Sequence, residues 1–252
     1  MENGNRYFVR MAFKGTNYHG WQVQPNAVSV QQTLTQALST VLREEVQVIG
    51  AGRTDTGVHA SFFYAHFDYS QIIADPDKIC FRLNRLLPDD IAIYTIRPVP
   101  WNAHARYDAL SRTYQYHITR IKDPFKRDFA YYLFWEVDVE KMNEACHILY
   151  QYQDFSSFSK SRTQVKTNLC NIYRAEWQEA GHMLIFTIQA NRFLRNMVRA
   201  IVGTMIEIGR GKMQPTDMKE IIESKDRSRA GYSVPANGLF LTNIQYPQHL
   251  DL

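Results

Sequence analysis

Residues 50–60 read Gly-Ala-Gly-Arg-Thr-Asp-Thr-Gly-Val-His-Ala. Glycines frame one arginine and one carboxylate, Arg53 and Asp55, between two β-like runs. As a turn the stretch is ordinary, because glycine tolerates positive φ and aspartate bonds its own backbone. A simple hairpin, however, needs no arginine beside its only acid. A carboxylate close to a guanidinium has a depressed pKa and stays ionised, which suits a nucleophile or a base. The familiar glycine-rich loops do not fit. A dinucleotide fingerprint requires G-x-G-x-x-G, whereas Gly50 and Gly52 are followed by Arg-Thr-Asp. Gly52 to Gly57 has phosphate-loop spacing, but Val58 stands where the lysine belongs. Asp55 is the only acid in the stretch, too few for a calcium loop, and the eight histidines show no metal-ligand spacing. No metal site is expected.

A second group of residues is cationic. Residues 191–209, N-R-F-L-R-N-M-V-R-A-I-V-G-T-M-I-E-I-G, predict a helix over about 192–208 that Gly209 is placed to end. At 100° per residue, Arg192, Arg195 and Arg199 fall within an arc of about 60° on it. Arg210 and Lys212 extend the charge, Lys160, Arg162 and Lys166 form a run without an acid, and Arg120, Lys122, Lys126 and Arg127 make a third patch. An arginine face is usually just a solvated face. Three such patches in a chain that is 13% aromatic favour RNA, because cations attract phosphates and rings stack on unpaired bases. Tyr114 and Tyr116 alternate on one predicted strand and share a face, either for sheet packing or for stacking on a base.

The elements that would hold these residues follow from periodicity. Strands are predicted at 6–13, 46–49, 58–67 and 91–97. A helix opens at the capping box Ser29-Val-Gln-Gln32, and another runs from Asp75-Pro76 to about Leu87. The second half predicts strands at 111–118, 168–177, 183–190 and 238–245, and helices at about 138–150, at 192–208 and after Pro215-Thr216. β-α-β-β-α-β thus occurs twice. The expected class is α+β: two ferredoxin-like halves, residues 1–105 and 106–252, forming a continuous, mostly antiparallel sheet with helices on one face and a central catalytic cleft.

Composition fits that class. The chain has 252 residues, 45% hydrophobic and 21% charged, with a net charge of +4 that leans weakly towards an anionic partner. No stretch approaches the roughly 20 apolar residues of a membrane span, and the N-terminus lacks a signal-peptide layout. Cys80, Cys146 and Cys170 are odd in number and far apart, which points to reduced thiols in the cytoplasm.

The eleven-residue segment resembles the catalytic segment of the tRNA pseudouridine synthase A family. So do F-K-G-T-N-Y-H-G-W-Q (13–22), W-N-A-H-A-R-Y-D-A (101–109), S-R-T-Y-Q-Y (111–116), D-F-S-S-F (154–158), residues 191–203 and G-L-F-L (238–241) resemble its other segments, in the family's order. Lys14 stands where the family commonly has an acid, and Arg195-Asn196 where others can carry histidines. The resemblance implies isomerisation of uridine to pseudouridine at tRNA positions 38, 39 and 40 of the anticodon arm, without a cofactor, by a homodimer with Asp55 as its catalytic carboxylate. It also implies that Arg53 fills the gap left by a flipped base, Tyr114 stacks on the uracil and Arg199 pairs with Asp55. Arg192, Arg195, Lys160 and Arg162 are then candidates for tRNA contact. Two rivals are weaker. An RNA-recognition module shares the β-α-β-β-α-β order, but no RNP1-like strand is present. A hydrolase using Asp55 as base needs a second acid or a histidine nearby, and only His59 qualifies.

Overall fold

The computed structural model describes residues 4–160, 167–250 and 252. The chain is α+β, built on a large, mostly antiparallel sheet. It divides into two units, Met1–Leu110 with Leu241–Leu252, and Ser111–Phe240. No described helix is long and apolar enough to cross a membrane.

The first unit runs β1 (Asn5–Phe13), α1 (Val30–Leu42), β2 (Val48–Gly50), β3 (His59–Tyr69), α2 (Pro76–Leu86) and β4 (Ile91–Val99). β1 pairs antiparallel with both β3 and β4, and β2 pairs with β3, the layout of a split βαβ unit. Tyr7, Val9, Met11 and Phe13 alternate into the core as the sequence predicts. The Ser29 hydroxyl accepts from Gln32 N at 3.2 Å to start α1, whose buried stripe is Val30, Leu34, Ala37, Leu38, Val41 and Leu42. Asp75 caps α2 by accepting from Lys78 N at 3.0 Å, and α2 packs on α1 and β4. β2 begins two residues later than expected and takes in Gly50, because its register against β3 matches Val48 to Phe67 and Gly50 to Ala65.

Three close approaches shape the loop between β2 and β3. A Cβ on Gly15 would lie 2.0 Å from the Val58 carbonyl oxygen. One on Gly20, whose φ is +85°, would lie 2.2 Å from the Thr54 oxygen, and one on Gly50 would lie 2.3 Å from the Trp21 ring. Main chain therefore packs on main chain at the first two, and a ring packs on main chain at the third. Hydrogen bonds fix the contact: Gly15 N donates to His59 Nδ1 at 3.0 Å, and Gly57 N to the Tyr18 carbonyl at 3.3 Å. The bracket itself is anchored at Asp90, which accepts from Tyr18 Oη at 2.5 Å and Asn17 Nδ2 at 3.1 Å.

The segment 101–109 closes over the other end of β1. Arg6 makes a two-pronged bond to Asp68, Nε to Oδ1 at 2.7 Å and Nη2 to Oδ2 at 2.8 Å, and its Nη1 donates to the Ala103 carbonyl at 2.9 Å. His66, only 1% exposed, accepts from Ala105 N at 3.1 Å through Nδ1. Its ring stacks on Phe8 and meets His104 edge-on.

The second unit holds β5 (Ser111–Thr119), β6 (Tyr131–Tyr132), α3 (Val139–Leu149), β7 (Ile172–Ala180), β8 (Met183–Ala190), α4 (Met197–Gly209) and α5 (Asp217–Ser224). β9 (Leu239–Gln245) begins here, and its residues from Leu241 onward belong to the first unit. β8 pairs antiparallel with β5 and β7, and the turn between β7 and β8 uses Gly181 at φ +60°. β6 adds a short parallel pair to β5 that periodicity does not predict, since two residues carry no period. α4 corrects the expected helix at both ends. It starts at Met197, not near Arg192, because Asn196 sits in the left-handed region at φ 68° and Asn191 holds the backbone outside a helix. The left-handed residue after it is Gly211 at φ +73°, not Gly209. Gly209 is the last helical residue, where a Cβ would lie 2.7 Å from Met142 Sδ.

The bracket around the loop can be tested at Gly20. Gly20→Ala combines strained φ with a 2.2 Å overlap on Thr54. It is expected to cost about 1–2 kcal/mol from the dihedral alone and more from the overlap. Thermal unfolding checks it; a Gly20→Ala protein with the parental stability contradicts the bracket. Acid tests the other end of β1. Burial, then Arg6 and His104, lowers the His66 pKa from 6.5 to about 4. The folded state thus prefers neutral His66, while the unfolded chain takes up a proton below its ordinary value. The stabilisation is complete above pH 6.5 and is lost as pH falls from 6.5 to about 4, roughly 3 kcal/mol in all. Urea unfolding between pH 7 and pH 4 should show the loss, and His66→Asn, which keeps an acceptor for Ala105 N, should flatten it.

Candidate active site

The loop between β2 and β3 is buried at its ends and open in the middle. Ala51 is 1% and Val58 2% exposed, whereas Arg53 and Thr56 are more open and Asp55 is half-buried. Ala51 N donates to the Tyr64 carbonyl at 2.8 Å and ties the first end to β3. Val58 N donates to the Asp55 carbonyl at 3.1 Å, closing a four-residue turn in which Gly57 takes φ +79°. A positive φ at the third position is what makes glycine the fitting residue there. Asp55 thus opens the turn, two residues after Arg53, in a backbone held by main-chain contacts on either side.

In the second unit, Tyr114 lies on β5 opposite Ile188 of β8, half-buried, with the Phe193 ring edge-on at 5.2 Å. Tyr116, two residues on, is fully buried. Its hydroxyl donates to the Pro235 carbonyl at 2.8 Å, and burial raises its pKa. The shared-face pair therefore separates into one core ring and one partly open ring.

Arg199 is in the first turn of α4. Its Nε donates to the Val234 carbonyl at 2.7 Å, and Val234 N donates back to the Arg199 carbonyl at 3.3 Å. Arg192 and Arg195 precede the helix, so the three arginines do not form one helical face. Arg192 sits where the Asn191 side chain accepts from both Asn171 N at 2.8 Å and Arg192 N at 2.9 Å. Asparagine side chains compete in this way with helical hydrogen bonding. Lys160 N donates to the Arg195 carbonyl at 3.1 Å, which brings those two candidates together. Arg162 and Lys166 lie outside the described residues. Of the third patch, Arg120 is occupied by Glu179 at 2.8 Å. Arg210, just past α4, lies over the Trp135 ring at 3.7 Å.

The thiols are poor candidates for nucleophiles. Cys80, Cys146 and Cys170 are unpaired and buried. Burial raises all three pKa values, that of Cys170 to about 11, and a thiol of this kind is inert. Among the described residues no three histidine, cysteine, aspartate or glutamate side chains gather to hold a metal ion. Several residues that build the site were invisible to periodicity: Gly15, Gly20 and Tyr18 around the loop, and Asn191, Ser233 and Val234 around the arginines. The repeated glycines of K-G-T-N-Y-H-G-W were the one available signal.

Similarity to known proteins agrees with this arrangement. A family model described as tRNA pseudouridine synthase matches residues 10–108 and 152–247. Arg53, Asp55, Lys160, Arg192, Arg195 and Arg199 fall inside the matched segments, and Tyr114 lies between them. The chain is 55% identical over 246 residues to a protein of Bacteroides fragilis named tRNA pseudouridine synthase A, covering 97% of this chain and 98% of the relative. A protein of the same name from Porphyromonas gingivalis is 52% identical, covering 98% and 99%. More distantly, one from Brevibacillus brevis is 40% identical over 94% of this chain and 97% of the relative. With the family's segments matched across most of its length and such relatives aligned almost end to end, the chain belongs to the tRNA pseudouridine synthase family.

Proposed function

We propose that this protein isomerises uridine to pseudouridine in the anticodon arm of tRNA, at tRNA positions 38, 39 and 40, with Asp55 as the catalytic carboxylate. The observation that carries the proposal is the near-complete alignment with synthases of that name, Asp55 lying inside the matched segment. The chemistry suits a site with one acid. The N1–C1′ bond breaks, the uracil turns, and C5 bonds to C1′; C5 gives up its proton and N1 takes one. No oxidant, water or group donor is consumed, and we assign no cofactor.

The target base must leave its stack, at a cost of about a few kcal/mol. Arg53, open to solvent beside Asp55, is suited to fill the space it leaves. Tyr114, with its ring supported edge-on by Phe193, is suited to stack on the extruded uracil. Arg199, its guanidinium plane set by the Val234 carbonyl, is suited to pair with Asp55 and keep it anionic. Arg192, Arg195 and Lys160 lie on or beside the loop before α4, where cations can meet phosphates of the same tRNA. We assign Arg162 to that contact by its place in the sequence. We further propose a homodimer in which one tRNA contacts both subunits, working in the cytoplasm, where unpaired thiols stay reduced.

The test is tritium release from tRNA carrying 5-tritiated uridine. Asp55→Asn is expected to lower release by about 10⁴-fold, the scale of losing a reacting group. Its tRNA affinity by filter binding should stay within severalfold. Tyr114→Leu should lose about 1–3 kcal/mol of stacking, seen as a fall of about fivefold to about 150-fold in kcat/KM. Release near the parental rate from the Asp55→Asn enzyme removes Asp55 from the mechanism.

A further inference from the structure

The strap from Ala230 to Pro235 is held at more points than a surface loop needs. Arg227, half-buried, donates from Nη1 to the Gly231 carbonyl at 3.0 Å and from Nη2 to the Ser233 hydroxyl at 2.9 Å. Asn196 Nδ2, from the residue just before α4, donates to the same hydroxyl at 2.6 Å. Gly231 N donates to Thr204 Oγ1 at 2.8 Å, and a Cβ on Gly203 would lie 1.8 Å from the Tyr232 carbonyl oxygen. Tyr116 Oη holds the far end at Pro235. In the middle is Val234, fully buried, which exchanges two hydrogen bonds with Arg199. The Val234 carbonyl occupies the single N–H of Nε, which sets the plane in which Nη1 and Nη2 meet an anion.

We propose that Arg227 and Ser233 are positioning residues for the uridine isomerisation, fixing the Val234 carbonyl and through it the orientation of Arg199. The inference rests on Arg199 acting as the anion partner proposed above. A guanidinium that can swing about its Cδ–Nε bond aims its donors poorly. Errors of about 1 Å at a reacting group can cost up to about a hundredfold in rate. Ser233 is central because its oxygen receives both Arg227 and Asn196, from two different elements. Losing it releases two part-buried donors at once, while the helix and sheet keep their own contacts.

Ser233→Ala and Arg227→Ala enzymes, full-length, would be assayed by tritium release in single turnover, with KM for tRNA and thermal unfolding measured in parallel. Each is expected to lower the rate about tenfold with KM changed less than about twofold. Ser233→Thr, which keeps the acceptor oxygen, should recover most of the loss. In an Arg199→Ala background, neither change should lower the rate further, because the group being positioned is gone. Losses that multiply in that background, or single variants with parental rates, overturn the proposal. An Arg199→Ala enzyme as active as the parent overturns the anchor role itself, and this inference with it. Should Arg227→Ala fail to fold, Ser233→Ala, which removes one oxygen, decides the matter alone.

Discussion

The absence of space between residues 15–21 and the loop after β2 is the constraint on which the path of that loop, and so the placing of Arg53 and Asp55, depends. Gly15 against Val58, Gly20 against Thr54 and Trp21 against Gly50 leave no room for one further carbon atom. Contacts between main chains have no rotamers to adjust. The loop's path is therefore set firmly, and hydrogen bonds from Ala51 N to the Tyr64 carbonyl and from Gly57 N to the Tyr18 carbonyl add to it. With the backbone fixed, a carboxylate at Asp55 keeps only its own side-chain torsions. If Asp55 is the reacting group proposed above, so short a tether gives it preorganisation, since little freedom remains to be lost when substrate arrives. The same packing explains why buried His59 belongs to the scaffold: it accepts from Gly15 N and so joins the bracket to β3.

The second unit solves a similar problem with a different balance of forces. Gly203 and Gly231 let α4 and the strap touch backbone to backbone, as the glycines of the first unit do. Arginine has a longer tether than aspartate, however, and steric contact at the main chain does not control its head. Hydrogen bonds to the guanidinium itself must do so. The Val234 carbonyl supplies one at 2.7 Å, and carbonyls are good holders because they move only with the chain. Gly238 leaves room for the Tyr116 ring, whose hydroxyl then reaches Pro235. Space left by a missing side chain and a hydrogen bond to a carbonyl recur together here.

What the sequence discloses depends on the range of the interaction that writes it. Ser29 with Gln32 and Asp75 with Lys78 act over three residues, so both helix starts were legible. The buried stripe of α1 was legible for the same reason, because one face against one core produces a period. The segment 191–196 misled because its apolar spacing continues that of α4. Asn191 and Asn196 override it through partners at Asn171 and Ser233, far along the chain. Gly209 misled similarly: glycine near a helix end suggests a terminator, but this one makes room for Met142. Asp55 stood out through the company it keeps, an arginine and neighbouring glycines. The strap stayed hidden because most of its bonds are to main-chain carbonyls, which every residue type presents alike.

The titrating groups sort by where they are placed. Burial pushes Tyr18, Tyr116 and Tyr232 up, and the three thiols likewise, while it pushes His66 down to about 4. Each shift favours the neutral form. The shifted carboxylates run the other way: Asp138, Asp154 and Asp226 are lowered, first of all by the hydrogen bonds they accept from Lys141, Ser156 and Ser228. These buried and capping groups accordingly keep one charge state through the neutral range. A reaction run by a single carboxylate is sensitive to every nearby charge, because each charge in a low-dielectric setting shifts the ionisation of the others. Groups held in one charge state by burial or by a cap supply a constant part of the field.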